Sequence, residues 1–248
     1  MGALSGAALE PHTRAAVLDA APGEISRMTP SHIDLICEAF SEVVDAKSPF
    51  TFRHSIGVTE AARMIGGAMG LTPERIQLLH RAALLHDLGK LRVPNSILDK
   101  PGKLDEAERS VMQEHSGLTR EILARIPQYY ELATIAGAHH EKLDGTGYPN
   151  RLRAEELSLE ARILAVADVY GALTEDRPYR EGFSVEKAIA ILKADVPYKL
   201  DGECFEALLS AVEHGRHAAV ATTPAYDVPP ALLGGSQTAA ACGVSARL

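Results

Sequence analysis

Histidine and aspartate side chains interrupt apolar helical stretches at several points of this chain, and this feature most restricts what it can fold into. His86 and Asp87 stand side by side within the apolar run from Arg81 to Lys90. A buried ionisable group is costly unless it is paired or coordinates a metal. A single pair of this kind is best explained as a satisfied polar pair near a helix end, with Gly89 as a C-cap. The same anomaly recurs elsewhere, however, and therefore needs a common explanation.

The recurrences follow the helical period. His115 shares a predicted helix face with Val111, Leu118 and Ile122, and His54 keeps a similar spacing to apolar residues on its C-terminal side. Each lone histidine is most simply a core residue, but five of them with two aspartates on inward faces form an improbable coincidence. Metal sites are built on the inward faces of helical bundles. We therefore predict one polynuclear metal centre, formed by His54, His86, Asp87, His115, His139, His140 and Asp168.

The pattern of helix starts predicts an all-α fold, a single helical bundle around this buried metal site. N-cap signals occur at Thr72, which precedes a proline, at Asp105, which forms a capping box with Glu108, and at Ser184 and Asp201. There is no sustained alternating strand pattern and no internal repeat. Hydrophobic residues make up 46% of the chain and aromatic residues 5%, which favours aliphatic helix packing. We expect a flexible leader over residues 1–28, one domain over 29–215 and a disordered tail over 216–248.

Bulk properties exclude several classes of protein. A net charge of −8 argues against a surface for DNA or RNA polymers. No apolar run approaches the roughly 18 residues of a membrane helix, and no signal peptide is recognisable. The three cysteines are scattered and lack metal-finger spacing, which is typical of a reducing compartment. We expect a cytoplasmic protein without a membrane partner.

A glycine-containing loop follows the two adjacent histidines. Gly145 and Gly147 flank a threonine and permit close backbone approach to a ligand, and Tyr148 offers a ring for stacking. A plain interhelical turn is the alternative. Lys90, Arg177 and Arg180 are candidate phosphate contacts, although surface cations are usually only solvated. We predict a substrate-facing site from these six residues: Lys90, Gly145, Gly147, Tyr148, Arg177 and Arg180.

These motifs together resemble the HD-GYP domain, a subfamily of the HD metal-dependent phosphohydrolases. The resemblance rests on the string from His86 to Lys90, on His115, on the stretch from His139 to Pro149, and on the segments around Asp168 and Arg177–Arg180. It covers roughly residues 30–213. It implies a helical bundle, a centre of two or three metal ions often containing iron, and phosphodiesterase activity on bacterial cyclic di-GMP.

Residue by residue, the resemblance implies one metal held by His54, His86, Asp87 and Asp168, and a second held by His115, His139 and His140, with Asp87 bridging. Asp87 and Lys90 become the catalytic residues. Some members carry a metal-binding glutamate four residues before the first histidine, where this chain has Phe50. We therefore expect two divalent transition-metal ions rather than three, with Fe first and Mn, Co or Zn as alternatives.

The expected reaction is hydrolysis of a cyclic dinucleotide, with cyclic di-GMP opened to pGpG and a further cut to GMP left open. Two alternatives stay open: an HD phosphohydrolase acting on another nucleotide, and a catalytically weak sensor that binds nucleotide or docks a signalling partner. The presence of every expected ligand favours the enzyme. A signalling-protein partner and a homo-oligomer are both compatible with the sequence.

Overall fold

Helices make up the regular structure of the described part of the chain. A computed structural model describes residues 29–48, 54–175 and 181–219, with side chains through residue 214. No strand occurs within these ranges, apart from an isolated bridge between Asp144 and Arg153. The α-helices are α1 (Pro30–Ala46), α2 (His54–Ala68), α3 (Pro73–Leu85), α4 (Asn95–Leu98), α5 (Glu106–Ala124), α6 (Tyr130–Ala136), α7 (Leu159–Thr174), α8 (Val185–Lys193) and α9 (Gly202–Ala219). The all-α prediction is confirmed.

Local capping explains where several helices begin. Thr72 accepts a hydrogen bond from the Arg75 backbone N–H at the start of α3. Asp105 and Glu108 form the reciprocal capping box of α5, with side-chain to backbone distances of 2.9 and 2.8 Å. Ser184 caps α8 with a single bond, because its side-chain oxygen accepts from the Lys187 backbone N–H. These bonds satisfy backbone donors that would otherwise lack partners, and they lie where the sequence predicts them.

Helix α2 packs against both α3 and α7. Val58, Ile65, Leu79 and Ile163 are completely shielded from solvent there. The glycine at position 171 of α7 permits this approach, since a Cβ at that position would lie 2.9 Å from Val58 Cγ2. The close contact of α2 with α7 brings the first residue of α2 beside the middle of α7, which positions two of the predicted metal ligands.

The structure corrects several local expectations. Helix α3 ends at Leu85, so His86 is its C-cap residue and Gly89 lies inside a following 3₁₀ turn rather than at the cap. His139 and His140 follow α6 instead of lying on it. On α5 the buried face is His115, Ser116, Thr119 and Leu123, whereas Ile122 is 41% exposed. The predicted apolar stripe was wrong because α5 turns a partly polar face inward.

Other predicted features fall wholly or partly outside the described residues. These are the leader over 1–28, Phe50, Arg177, Arg180 and most of the tail. Helix α9 continues to Ala219, so residues 216–219 are helical although the sequence assigned them to the tail. Among the described residues, contacts within the chain delimit one compact unit that ends at Ala211. Within the described ranges, no helix combines the length and apolar character needed to span a membrane.

Candidate metal centre

The seven residues predicted as metal ligands converge on one buried site. They come from the first residue of α2, the end of α3, the middle of α5, the turn after α6 and the middle of α7. Six of them are at most 6% exposed, and the seventh, His140, is partly exposed. Residues up to 114 positions apart in the sequence are therefore adjacent in the fold, as in the pair formed by His54 and Asp168.

Asp87 lies between two groups of histidines. Its Oδ2 atom is 3.4 Å from His86 Nε2 and 4.0 Å from His54 Nε2. Its Oδ1 atom is 3.3 Å from His115 Nε2 and 3.9 Å from His139 Nε2. Each carboxylate oxygen thus faces a different pair of imidazoles, and the side chain has the geometry of a bridging ligand.

Asp168 also faces both groups, which the sequence did not predict. Its Oδ1 atom lies 3.2 Å from His54 Nε2 and 3.7 Å from His86 Nε2. Its Oδ2 atom lies 3.5 Å from His140 Nδ1. The carboxylate therefore spans from the first group to the second group, whereas the sequence assigned it to the first metal alone.

Three of the histidines are oriented by their own backbone. The Nδ1 atoms of His86, His115 and His139 each lie 2.6 Å from the carbonyl oxygen three residues earlier. A carbonyl accepts only, so Nδ1 carries a proton, and in the neutral form of each ring Nε2 is the nitrogen that retains a lone pair. In all three cases Nε2 is the atom that faces Asp87. The local backbone thus selects the tautomer that a metal ligand requires.

The electrostatics divide the cluster into charged and neutral members. Burial disfavours charge on His54, but hydrogen bonds with Asp168 and Glu175 outweigh it and raise its pKa to about 10. Burial lowers the pKa of His140 to about 3 and dominates over the nearby carboxylates. Burial would raise the pKa of Asp87, but the charges on His86 and Lys90 hold it well below its usual value. Burial would likewise raise the pKa of Asp168, but its hydrogen bond with His54 and the neighbouring histidines lower it, so both carboxylates are ionised at neutral pH, as metal ligation requires.

The donor set fits divalent metal ions. His86 Nε2 and Asp87 Oδ1 are buried and have no hydrogen-bond partner among the described residues. Such orphaned atoms need an explanation, and an ion is one. Candidate ligand atoms lie within 4.8 Å of one another in two sets, one formed by His54, His86 and Asp87 and one formed by His115, His139 and His140. Imidazole with carboxylate suits transition metals better than Mg²⁺ or Ca²⁺.

Lys90 reaches the same carboxylate. Its Nζ atom donates to Asp87 Oδ2 across 2.5 Å, from the 3₁₀ turn that directly follows α3. The same turn is held against α5 by Thr119, which accepts from the Gly89 backbone N–H and donates to the His86 carbonyl, both at 2.9 Å. The sequence did not identify Thr119, although it lies one helical turn after His115 on the same face.

The glycine-containing loop folds back on the histidines. A Cβ at Gly147 would lie only 2.5 to 2.6 Å from backbone atoms of residues 140–142, so the close approach made there is to the chain itself. Glu141, which is 2% exposed, accepts the backbone N–H groups of Asn150 and Leu152 at 2.7 and 2.9 Å. The sequence did not predict that Glu141 holds this loop in place, because its partners lie nine and eleven residues away and no local pattern indicates them.

Tyr148 packs against two of the candidate ligands. Its ring centroid lies 4.7 Å from that of His140 and 6.4 Å from that of His115. Gly145 has a positive φ of 77°, in a turn where Asp144 accepts from the Thr146 backbone at 2.9 Å. The loop therefore brings Tyr148 to the rim of the site. Of the predicted phosphate contacts, Lys90 lies at the site, whereas Arg177 and Arg180 fall outside the described residues.

Comparison with known proteins agrees with this geometry. A family model described as HD domain matches residues 38–204. A 3′3′-cGAMP-specific phosphodiesterase 3 of Vibrio cholerae is 46% identical over 182 residues, which are 73% of this chain and 40% of the relative. The cyclic di-GMP phosphodiesterase response regulator RpfG of Xanthomonas campestris is 42% identical over 154 residues, which are 61% of this chain and 41% of the relative. The chain thus spans less than half the length of these relatives.

Solved structures show the same fold. The HDGYP-type protein Bd1817 of Bdellovibrio bacteriovorus matches with a TM-score of 0.56 at 20% identity, covering 75% of this chain and 65% of that one. A cyclic GMP-AMP specific phosphodiesterase of V. cholerae matches with a TM-score of 0.52 at 38% identity, covering 83% of this chain and 47% of that one. The family match covers most of the chain and includes all seven candidate ligands. The chain belongs to the HD domain family, and its motifs resemble those of the HD-GYP type.

Proposed function

We propose that this chain is a metal-dependent phosphodiesterase that opens a cyclic dinucleotide, with cyclic di-GMP cut to the linear dinucleotide pGpG. The observation that carries the proposal is the position of Asp87, whose two oxygens face separate histidine groups at 3.3 to 4.0 Å. Such an arrangement is suited to two adjacent ions sharing one carboxylate. Sites with two adjacent metal ions are common in enzymes that hydrolyse phosphodiesters.

In this proposal, two divalent transition-metal ions, iron first, are held by two ligand sets. His54, His86 and Asp168 serve one ion, His115, His139 and His140 serve the other, and Asp87 serves both. When bound, such ions polarise phosphoryl oxygens and lower the pKa of a water molecule from 15.7 to about 7. The orientation of three histidines by their own backbone carbonyls supports this assignment, because it directs the Nε2 atom of each ring toward Asp87.

The residues that surround the ligands are assigned to the substrate. Lys90 would stabilise negative charge developing on the phosphate, since its ammonium already lies at the edge of the site. Tyr148 would limit the space beside His140, and the turn formed by Gly145 and Gly147 holds it there. Arg177 and Arg180 are proposed as phosphate contacts from the sequence alone.

A second substrate deserves a parallel test. The V. cholerae relative named as 3′3′-cGAMP-specific is 46% identical to this chain, and RpfG, named for cyclic di-GMP, is 42% identical. The two nucleotides share the phosphodiester ring and differ in one base. The metal centre serves either of them, so base discrimination must reside in the surrounding loops. We place cyclic di-GMP first and 3′3′-cGAMP second.

The test is metal analysis and turnover on one anaerobically purified sample of the protein. Chromatography of the products follows cyclic di-GMP and 3′3′-cGAMP in separate reactions, and we expect about two ions per chain with pGpG as the main product. Metal-loaded protein that binds a cyclic nucleotide without cutting it would move the assignment to a sensor. Turnover of an unrelated nucleotide alone would identify a general HD phosphohydrolase.

Variants separate the ligands from the phosphate contacts. Asp87→Ala should lose both ions, whereas His115→Ala should preferentially empty the second position. Arg177→Ala and Arg180→Ala should weaken nucleotide binding while metal content stays unchanged. Retention of both ions by the Asp87 variant would refute the bridging assignment, and loss of metal from an arginine variant would refute a role in phosphate binding.

A further inference from the structure

His54 is oriented differently from the three histidines that use their own backbone. Those three donate Nδ1–H to the carbonyl three residues earlier in the chain. His54 is the first residue of α2, so this helix contains no carbonyl three residues before it. Its Nδ1 atom instead lies 2.9 Å from Glu175 Oε2, a residue 121 positions later. For His54, the carboxylate of Glu175 therefore takes the place that a backbone carbonyl has beside Nδ1 of the other three histidines.

Glu175 is held in place by the packing of α2 against α7. It is the C-cap residue of α7, and its backbone N–H donates to the Gly171 carbonyl at 3.0 Å. Its carboxylate occupies the space left by the missing side chain of Gly57, where a Cβ would lie 2.4 Å from Oε1. That Oε1 atom is buried and has no hydrogen-bond partner among the described residues. His54 Nδ1 is therefore the polar group that the carboxylate serves.

The two nitrogens of His54 have separate partners. While Nδ1 faces Glu175, Nε2 faces Asp168 Oδ1 at 3.2 Å and Asp87 Oδ2 at 4.0 Å, on the side of the metal ligands. A carboxylate that accepts Nδ1–H fixes the tautomer, orients the ring and makes Nε2 a stronger donor to a metal. This is the function that backbone carbonyls perform for the other three histidines.

We propose that Glu175 is a positioning residue for the metal centre, which presents His54 Nε2 to one ion and depends on Gly57 for its place. The proposal rests on the metal-dependent function proposed above. Removing such a partner typically weakens metal affinity by roughly 10- to 100-fold. The loss should be confined to the ion that His54 serves, because the second histidine group has no contact with Glu175 in the described structure.

The experiment measures Zn²⁺ affinity by chelator competition in the parent protein and in its Glu175→Ala, Glu175→Gln and Gly57→Ala variants. Glu175→Ala should weaken one of two Zn²⁺ ions by about 10- to 100-fold. Glu175→Gln should restore part of the loss, because an amide oxygen still accepts Nδ1–H. Gly57→Ala leaves both His54 and Glu175 in the chain but displaces the carboxylate, so it should reproduce the defect without a large loss of stability.

A control and a spectroscopic signature distinguish positioning from general stability. Glu160 is also a buried carboxylate of α7, but it pairs with Arg75 away from the site, so Glu160→Gln should lower stability and leave Zn²⁺ affinity unchanged. In Zn²⁺-loaded protein, ¹⁵N NMR should show His54 protonated on Nδ1, with that proton exchanging slowly in the parent and rapidly in Glu175→Ala.

Unchanged Zn²⁺ affinities and an unchanged His54 signal in a folded Glu175→Ala or Gly57→Ala protein would overturn the proposal. A parent protein that binds no Zn²⁺ would overturn both this role and the metal-dependent function. A parent that binds two Zn²⁺ ions but cuts no cyclic dinucleotide would refute the proposed reaction alone, and a selective affinity loss would still support the role of Glu175.

Discussion

Replacing Gly89 by alanine should move the two histidine groups apart without replacing any candidate ligand side chain. A Cβ at this position would lie 2.0 Å from the His115 carbonyl oxygen and 2.8 Å from its carbonyl carbon. Ordinary contacts begin near 3.4 Å, so the 3₁₀ turn must retreat from α5 by about 1.4 Å. The atoms in its way belong to the backbone of a long helix and cannot rotate aside, as a side chain could.

The magnitude follows from two costs. Overpacking of a dense interior costs about 1–3 kcal/mol, and we place this variant at the upper end because the clash is with backbone. Retreat of the turn also breaks the 2.9 Å bond from the Gly89 N–H to Thr119 Oγ1, worth about 1 kcal/mol. We therefore expect Gly89→Ala to lower the free energy of unfolding by about 3–4 kcal/mol. It should also weaken metal binding, because Asp87 moves away from His115.

The assay is denaturant unfolding of the metal-free protein together with metal analysis of the loaded protein. Gly67→Ala on α2 is the matched control, since a Cβ there meets nothing within 4 Å. That control should be neutral or stabilising by up to about 1 kcal/mol, because alanine is the better helix former. A Gly89→Ala protein with parental stability and full metal content would show that the turn and α5 are not rigidly coupled, and the reasoning would be wrong.

Three further outcomes follow from the structure. Glu141→Gln should destabilise the protein by about 1–3 kcal/mol, because the buried carboxylate accepts two backbone N–H groups, while the exposed Glu121→Gln should change stability by less than about 0.5 kcal/mol; equal effects in denaturant unfolding would contradict this. Tyr148→Phe should keep the ring contact with His140 and retain metal, whereas Tyr148→Ala should lose the contact and bind metal more weakly. Equal metal content in the two variants would argue against a packing role. In metal-free protein, thermal melts at stepped pH should show a stability maximum near pH 6.5, the ordinary pKa of histidine. Stability should fall as the pH is lowered, because His140, with a folded-state pKa of about 3, binds a proton more readily once unfolded. Stability should also fall as the pH is raised, because His54, with a folded-state pKa of about 10, keeps its proton to higher pH in the folded than in the unfolded protein. A flat profile across that range would contradict both assignments.

The sequence predicted features whose physical cause is local. The caps at Thr72 and Asp105 were predictable because the bonds join residues three apart in the chain. The candidate ligands His54, His115 and Asp168 were predictable because an ionisable side chain on an apolar helical face needs a partner. Both arguments use only neighbours in sequence, so they hold whatever the arrangement of the helices.

Features that depend on tertiary contacts were missed. Glu175 and Glu141 are ordinary acidic residues in the sequence, and their partners become adjacent only when the chain folds. The inward face of α5 was misplaced because Thr119 bonds to backbone across the 3₁₀ turn, which makes a polar residue the buried one. The second contact of Asp168 likewise depends on the turn that brings His140 opposite α7.

The three histidines that are oriented by their own backbone can each be transferred to another protein as a short segment. Residues 83–86, 112–115 and 136–139 each contain both the ring and the carbonyl that orients it, so four consecutive residues carry a complete, correctly protonated ligand. Grafted onto the end of another helix, such a segment brings its tautomer with it. His54 cannot be transplanted in this way, because its orientation is supplied by another helix. A designer who borrows these four histidines in their present orientation must copy three short segments and one long-range pair, His54 with Glu175.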